Sequence, residues 1–399
     1  MNPVYIVDSI RTPRARANKK GGLNKLNPYE LLDFLYQDIE SKNFFSLNFI
    51  DEVILGCVTQ FGEQAGNIAK TSALYSGYPD SISGLTINRF CSSSLDAINL
   101  GYLKIQSKQA DNIIAGGVEM MSRVPMLSDE AAIWNDINIA DQAKIFLMGS
   151  GADLIASLFK ISRDDVDMQA LKSQENALNA QKNNYFQSII PVINKSKSIN
   201  CIQDECIRPD TTFESLASLD PSFKQLGEQG VDQAQLNLFP DLKEISHVHT
   251  AGNSPAMADA ASMTLLSNKK IQENGQQVRA KIISVVTVND DPLLVLSGCI
   301  LATTKLLSQN NLKVSDVDLF EIHEAFASTM IHCQHKLKID DEKLNVNGGC
   351  IALGHPMGAT GSIMMSTLID ELERRDLSTG IVATSGAAGA GTAMLVERI

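Results

Sequence analysis

Thr86-Ile-Asn-Arg-Phe-Cys-Ser-Ser-Ser-Leu-Asp-Ala-Ile98 sets a cysteine, Cys91, between an apolar stretch and an amphipathic helix. Leu95, Ile98, Tyr102 and Ile105 recur at helical spacing, which makes one face of the segment apolar. Ser92, Ser93 and Ser94 precede that face and are residues that start helices. A thiol at this point meets the positive end of the helix dipole and unpaired N–H groups, and both favour thiolate. From an ordinary thiol value of about 8.5, a shift of roughly one unit populates the nucleophile near neutral pH. The alternative is a small buried cysteine without chemistry, which composition alone favours. The rest of the chain reverses that balance.

On either side of this segment lie Ile50-Asp-Glu-Val-Ile-Leu-Gly-Cys-Val58 and Asn112-Ile-Ile-Ala-Gly-Gly-Val118, both read as strands. The order is echoed later. Val317-Asp-Leu-Phe-Glu-Ile322 reads as a strand, Val346-Asn-Gly-Gly349 leads into a glycine-rich turn, and a helix follows around Ile363, Met364, Leu368 and Leu372. Gly380-Ile-Val-Ala-Thr384 and Ala393-Met-Leu-Val396 close the second series, and Val4-Tyr-Ile-Val7 opens the first. Strands alternating with helices predict an α/β fold of two similar halves packed in layers. Residues 119–249 break the pattern with a polar helix over Ile161 to Asn184 and loop-like stretches around Arg208-Pro-Asp and Asp220-Pro-Ser. They are expected to form an inserted lid or loop domain. The expected division is 1–118 plus about 250–273, then 119–249, then 274–399.

The 399 residues are too many for one small core, and 44% hydrophobic with 20% charged residues describes an ordinary globular chain. The net charge of −12 argues against nucleic acid or an anionic membrane as the main partner, so an anionic ligand must meet a local basic feature. The seven cysteines are odd in number, scattered and without metal-ligand spacing. They predict a reducing compartment, no disulfide framework and no metal. No signal-like segment and no apolar run long enough to span a bilayer is present, and the cytoplasm is the expected location.

Three sites in the second half carry the remaining chemistry. Glu321-Ile-His-Glu-Ala-Phe-Ala327 sets a His-Glu pair at a strand end, suited to orienting a carbonyl or a water. Gly348-Gly-Cys-Ile-Ala-Leu-Gly-His-Pro-Met-Gly-Ala-Thr-Gly361 has five glycines in fourteen residues, which permits close backbone approach. His355, held out of the helical region by Pro356, is placed to take a proton from a thiol. The stretch lacks the Gly-Lys-Ser/Thr ending of a phosphate-binding loop. Thr384-Ser-Gly-Ala-Ala-Gly-Ala-Gly-Thr-Ala393 is small enough for a ligand to lie against bare N–H groups, as in an oxyanion hole.

Together these motifs resemble the thiolase family over essentially the whole chain. The matching landmarks are Arg11-Thr-Pro13, Gly56-Cys-Val-Thr-Gln60, Asn88-Arg-Phe-Cys91, Gly116-Gly-Val-Glu119 and Met121-Ser-Arg123. Further on come Met148-Gly149, Asp204-Glu205 with Arg208, Thr250-Ala-Gly-Asn253, His323-Glu-Ala-Phe326 and Gly354-His-Pro356. The resemblance implies the thiolase fold and an acyl-CoA C-acyltransferase that cleaves 3-ketoacyl-CoA with CoA, or runs the reverse Claisen condensation. Cys91 would carry the acyl group, and His355 would be its base and part of a first oxyanion hole. His323 would help hold a water in that hole, and the N–H groups of Cys91 and Ala387 would form a second. Phe326 and Met148 would line the acyl pocket, while Arg208, Ser215, Ala251 and Pro255 match CoA-contacting positions. The His-Glu-Ala-Phe form resembles the trifunctional-enzyme β-subunit branch. Coenzyme A would be a substrate and no cofactor would be permanently bound. A homodimer or homotetramer, and a hydratase–dehydrogenase partner, are also implied.

Three departures from the family pattern bear on the chemistry. The second catalytic cysteine of the family aligns with Ser385, whose hydroxyl is too weak an acid to replace a thiol directly. Cys350 lies near His355 in sequence and is a possible substitute, although packing is the plainer role. Pro255 stands where a serine is frequent, and Ser94 replaces a usual glycine. The alternatives are therefore a thiolase-like protein with altered or weak chemistry, or a non-catalytic acyl-CoA-binding subunit of a fatty-acid oxidation complex.

Overall fold

The computed structural model describes residues 3–44, 46–269 and 278–399. The first half is built from β1 (Val4–Arg11), α1 (Pro28–Lys42), β2 (Glu52–Gly56), α2 (Ile68–Tyr75), β3 (Ser83–Ile87), α3 (Ser93–Gln106), β4 (Asn112–Met120) and, after a long insertion, β5 (Ala258–Ser267). The insertion contributes α4 (Met148–Phe159) and α5 (Arg163–Lys182), besides shorter helices and a small hairpin. The second half follows with β6 (Ala280–Asn289), α6 (Gly298–Gln309), β7 (Leu319–Ile322), α7 (Ala327–Leu337), α8 (Thr360–Arg374), β8 (Thr379–Ser385) and β9 (Ala390–Arg398). The boundary expected at 273/274 lies outside the described residues.

The long strands form one mixed sheet in the order β7-β8-β9-β6-β1-β5-β4-β2-β3. Within the first half β2 runs parallel to β3 and β4, while β4–β5 and β5–β1 are antiparallel. The second half repeats this: β7 is parallel to β8, and β8–β9 and β9–β6 are antiparallel. A bridge from Phe320 to Leu344 stands where β3 stands in the first half. The halves meet along a short antiparallel seam, Val4–Ile6 against Ala280–Ile282. The echo read from sequence is thus a repeated topology.

Among the described residues, the three largest apolar cores lie against this sheet. α1 and α2 bury Leu31, Leu35, Ala69 and Ala73 against one face of the first half. α6 and α7 do the same for the second half through Leu306, Met330 and Cys333. Between them α3 and α8 share a core with strands of both halves, including Leu95, Ile98, Ile105, Met365, Leu368 and Val382. Close approach is enforced where a Cβ on Gly361 would lie 2.6 Å from that of Leu95. Both central helices therefore point their N-termini into the joint between the halves.

The insertion is fastened by charge. At the end of β1 the Arg11 guanidinium donates to both oxygens of Asp204, at 2.7 and 2.9 Å, and the Arg14 N–H reaches the same carboxylate at 2.8 Å. The cations hold Asp204 below the usual carboxylate range against its burial. Helix α5 starts with a capping box between Ser162 and Asp165. Its polar residues are not all solvated: Asp167, Ser173 and Gln174 are buried, and Asp167 binds Arg163 and Asn253. Among the described residues no helix is long and apolar enough to cross a membrane.

Candidate active site

Cys91 sits one residue before Ser92, the N-cap of α3, in a turn held against its own preference. Phe90 has φ of 50°, a left-handed conformation that costs a non-glycine residue about 1–3 kcal/mol. Neighbouring bonds fix it. The Asn88 side chain accepts from the Phe90 N–H at 2.8 Å, and the Ser93 hydroxyl donates to the Phe90 carbonyl at 2.5 Å. None of the three serine side chains caps the helix: Ser92 accepts from Thr384 at 2.9 Å and Ser94 from the Ser362 N–H at 3.0 Å, so these two join the halves, while Ser93 bonds within the Arg89–Phe90 turn. Gly386 packs on the same turn, where a Cβ would stand 3.0 Å from the Arg89 carbonyl oxygen. This sets the turn that begins at Gly386 against Arg89 and Phe90, the residues just before Cys91.

The opposing wall comes from the second half. Gly354, with φ of 97°, turns the chain out of a short helix, and a side chain there would press on Ala258. The His355 N–H then donates to the Ala256 carbonyl at 2.7 Å. Its ring spans a thiol and a hydroxyl, with Nε2 3.2 Å from Cys91 Sγ and Nδ1 2.7 Å from Thr360 Oγ1. Burial, then the neighbouring His323 ring and Arg14, hold His355 well below the ordinary imidazole value. Burial, reinforced by the Glu119 carboxylate, pushes the Cys91 thiol up to about 12. Burial and the Glu119 charge thus act against the thiolate expected from the helix terminus and favour a resting pair of neutral thiol beside neutral imidazole.

His323 stands behind this pair, its ring centroid 4.5 Å from that of His355. Nδ1 lies 3.0 Å from the Ser385 carbonyl oxygen, and burial lowers the ring to about 4. The His-Glu pair is split. His323 faces the cavity, whereas Glu324 turns away and accepts from Gln169, Ser173 and the Ile351 N–H. Cys350 Sγ and a ring nitrogen of each histidine lie within 4.8 Å of one another, but the sulfur is not in the cavity wall and burial pushes it to about 12.

A cavity of about 290 Å³ opens over Cys91, His355 and His323. Met148, Phe326, Phe223 and Leu296 are among its mostly apolar walls, and Pro255 also lines it. Other expected residues fall elsewhere. Ser385 is fully buried, and its Oγ accepts from the Cys299 N–H at 2.9 Å instead of meeting the cavity. Arg208 donates to the carbonyls of Ala251 and Gly252 at 3.3 and 2.9 Å, outside the cavity lining. Ser215 is exposed and completes a capping box with Thr212. The sequence reading missed Thr360 as the second partner of His355. It also missed how Glu119 serves the site: buried, it accepts from the N–H groups of Val58, Thr59 and Gly358 and from Gln64. Its presence in Gly116-Gly-Val-Glu119, an acidic residue at the end of an apolar strand, was the available signal.

A cysteine and an imidazole brought together at the joint of two repeated halves, under an apolar cavity, form an arrangement suited to covalent catalysis by sulfur. The chain belongs to the thiolase family. Residues 4–270 match the thiolase N-terminal domain and residues 276–398 the thiolase C-terminal domain. It is 35% identical to a beta-ketoadipyl-CoA thiolase of Pseudomonas knackmussii over 99% of each chain. It is 35% identical to a 3-ketoacyl-CoA thiolase of Colwellia psychrerythraea over 100% of each. Among solved structures, the acetyl-CoA acetyltransferase of Bacillus anthracis aligns with a TM-score of 0.84 at 31% identity, covering 100% of this chain and 99% of that one.

Proposed function

We propose that this protein is an acyl-CoA C-acyltransferase that cleaves 3-ketoacyl-CoA with CoA, or runs the reverse Claisen condensation, through an acyl-Cys91 intermediate. The observation that carries the reading is the 3.2 Å contact between Cys91 Sγ and His355 Nε2 beneath the cavity. Because thiol and imidazole are both neutral at rest, the proton leaves sulfur as sulfur attacks the substrate carbonyl. His355 receives it at Nε2 while Nδ1–H donates to Thr360. The N–H groups of Cys91 and Ala387 are assigned to one oxyanion hole, and His323 with a water to the other. Met148 and Phe326 are assigned to the acyl pocket.

The acyl group is proposed to be a neutral hydrocarbon chain. Among the described residues lining the cavity there is no lysine or arginine to meet a terminal carboxylate. Arg208, Ser215, Ala251 and Pro255 are assigned to coenzyme A, with Arg208 as the local cation. His323-Glu-Ala-Phe326 supports placement in the trifunctional-enzyme β-subunit branch. A role in fatty-acid degradation, a homodimer or homotetramer, a hydratase–dehydrogenase partner and a cytoplasmic location complete the proposal.

The test is acetoacetyl-CoA plus CoA with the purified protein. Loss of the enolate absorbance, abolished in Cys91→Ala, is expected; no loss with wild type overturns the reading. A second reading, acylation of Cys91 without efficient carbon–carbon chemistry, is favoured by the burial of Ser385 away from the cavity. Acyl-enzyme detected by mass spectrometry without turnover would support that one.

A further inference from the structure

Claisen chemistry needs two proton acceptors: one for the Cys91 thiol, and one for the carbon α to the thioester. His355 is committed to the first by its contacts with Cys91 and Thr360. We infer that His323 Nε2 is the second, the group that removes the α-proton in condensation and returns it in cleavage. The inference rests on the thiolase reading above and deepens it.

His323 Nδ1 lies 3.0 Å from the Ser385 carbonyl oxygen, and a carbonyl oxygen only accepts, so Nδ1 carries the hydrogen. Nε2 of the neutral ring is then a bare lone pair. It is buried without a hydrogen-bond partner, on a side chain only 2% exposed that lines the cavity beside Cys91. A buried acceptor that no protein group satisfies is left for the cavity's contents, a water or a substrate hydrogen, to meet. The competing groups are poorer. Ser385 is sealed from the cavity and its Oγ is occupied by the Cys299 N–H. Ser254 lines the cavity with an unpartnered hydroxyl, but an alcohol is far too weak a base. Cys350 is close to both rings yet outside the cavity wall.

The proton count closes. In condensation the C–H bond α to the thioester of the second acyl-CoA breaks, its proton goes to His323 Nε2, and its electron pair forms the new bond to the acyl carbon on Cys91. The acyl C–S bond opens and its pair returns to Sγ. The proton on His323 Nε2 then returns to sulfur across the cavity by way of the water assigned to His323, so nothing is oxidised or reduced. Two imidazolium rings with centroids 4.5 Å apart would repel, so the pair shares a single proton at any moment.

The test is deuterium exchange into the methyl group of acetyl-CoA in D2O, read by mass spectrometry beside the accumulation of acetyl-Cys91. Wild type is expected to do both. His323→Gln, with His323→Asn in case the glutamine variant does not fold, is expected to lose exchange by about 10²–10⁴-fold. Acetyl-Cys91 should form less than about tenfold more slowly, the range left when the other acid–base group is intact. Ser254→Ala should keep exchange within about threefold, far inside the loss expected for a general base. Exchange retained in both His323 variants, or acylation lost as severely as exchange in both, would overturn the assignment. A wild-type protein that forms no acetyl-Cys91 would instead sink the thiolase reading itself.

Discussion

The two halves repeat one topology yet place opposite chemistry at corresponding strand ends. At the end of β4, Glu119 closes its surroundings by accepting from Val58, Thr59, Gln64 and Gly358. At the corresponding end of β8, Ser385 turns its hydroxyl inward and offers only its carbonyl, to His323. Before α3 the first half presents a sulfur; before α8 the second presents an imidazole. One half is a saturated polar scaffold with a nucleophile on its rim, and the other holds the groups that exchange protons. A repeated fold needs no repeated chemistry, because the loops at its strand ends vary independently of the core.

The sharpest way to break this division is at the sulfur. Cys91→Ser should lower acetoacetyl-CoA thiolysis by at least about 10⁴-fold, as removing a covalent nucleophile does elsewhere, and leave no acyl-enzyme in the mass spectrum. On the proton-exchanging side, His355→Gln should slow single-turnover acylation of Cys91 by about 10²–10⁴-fold while the Tm moves little. Glu119→Gln tests the scaffold. It turns one acceptor into a donor facing backbone N–H groups and should cost about 1–3 kcal/mol, read as a lower urea midpoint. The smallest effect is in pH. With His323 lowered to about 4 and His355 also well below its ordinary value, both rings stay neutral and basic on mild acidification. Acylation at pH 5.5 should remain within about threefold of that at pH 8, where an ordinary imidazole near 6.5 would lose about tenfold. A tenfold loss would mean that the rings are solvated and the division between halves is weaker than drawn.

Most of the fold was legible because apolar periodicity reports burial. Leu95, Ile98, Tyr102 and Ile105, chosen by spacing, are all buried on α3. The strands around Ile54, Ile114 and Val382 were read from aliphatic runs and are core. Polar residues were read less well. Asp167 and Gln174 looked like the wet side of a helix but are buried partners of Asn253 and of the Arg208 N–H. Ser92 and Ser94 looked like caps but bond across to the second half, which local sequence cannot show. The site's main pair was legible as two motifs. Its charge state was not, since burial depends on everything packed around it.

The contact between Cys91 and His355 spans 264 positions of the chain. A ribosome therefore exposes the cysteine long before the imidazole is made, and until both halves have docked that sulfur is an ordinary thiol without its base. Reactivity arrives with the last quarter of the polypeptide, so a truncated or half-folded product carries no armed nucleophile. Acylation of Cys91 would then report completed assembly as directly as any spectroscopic probe.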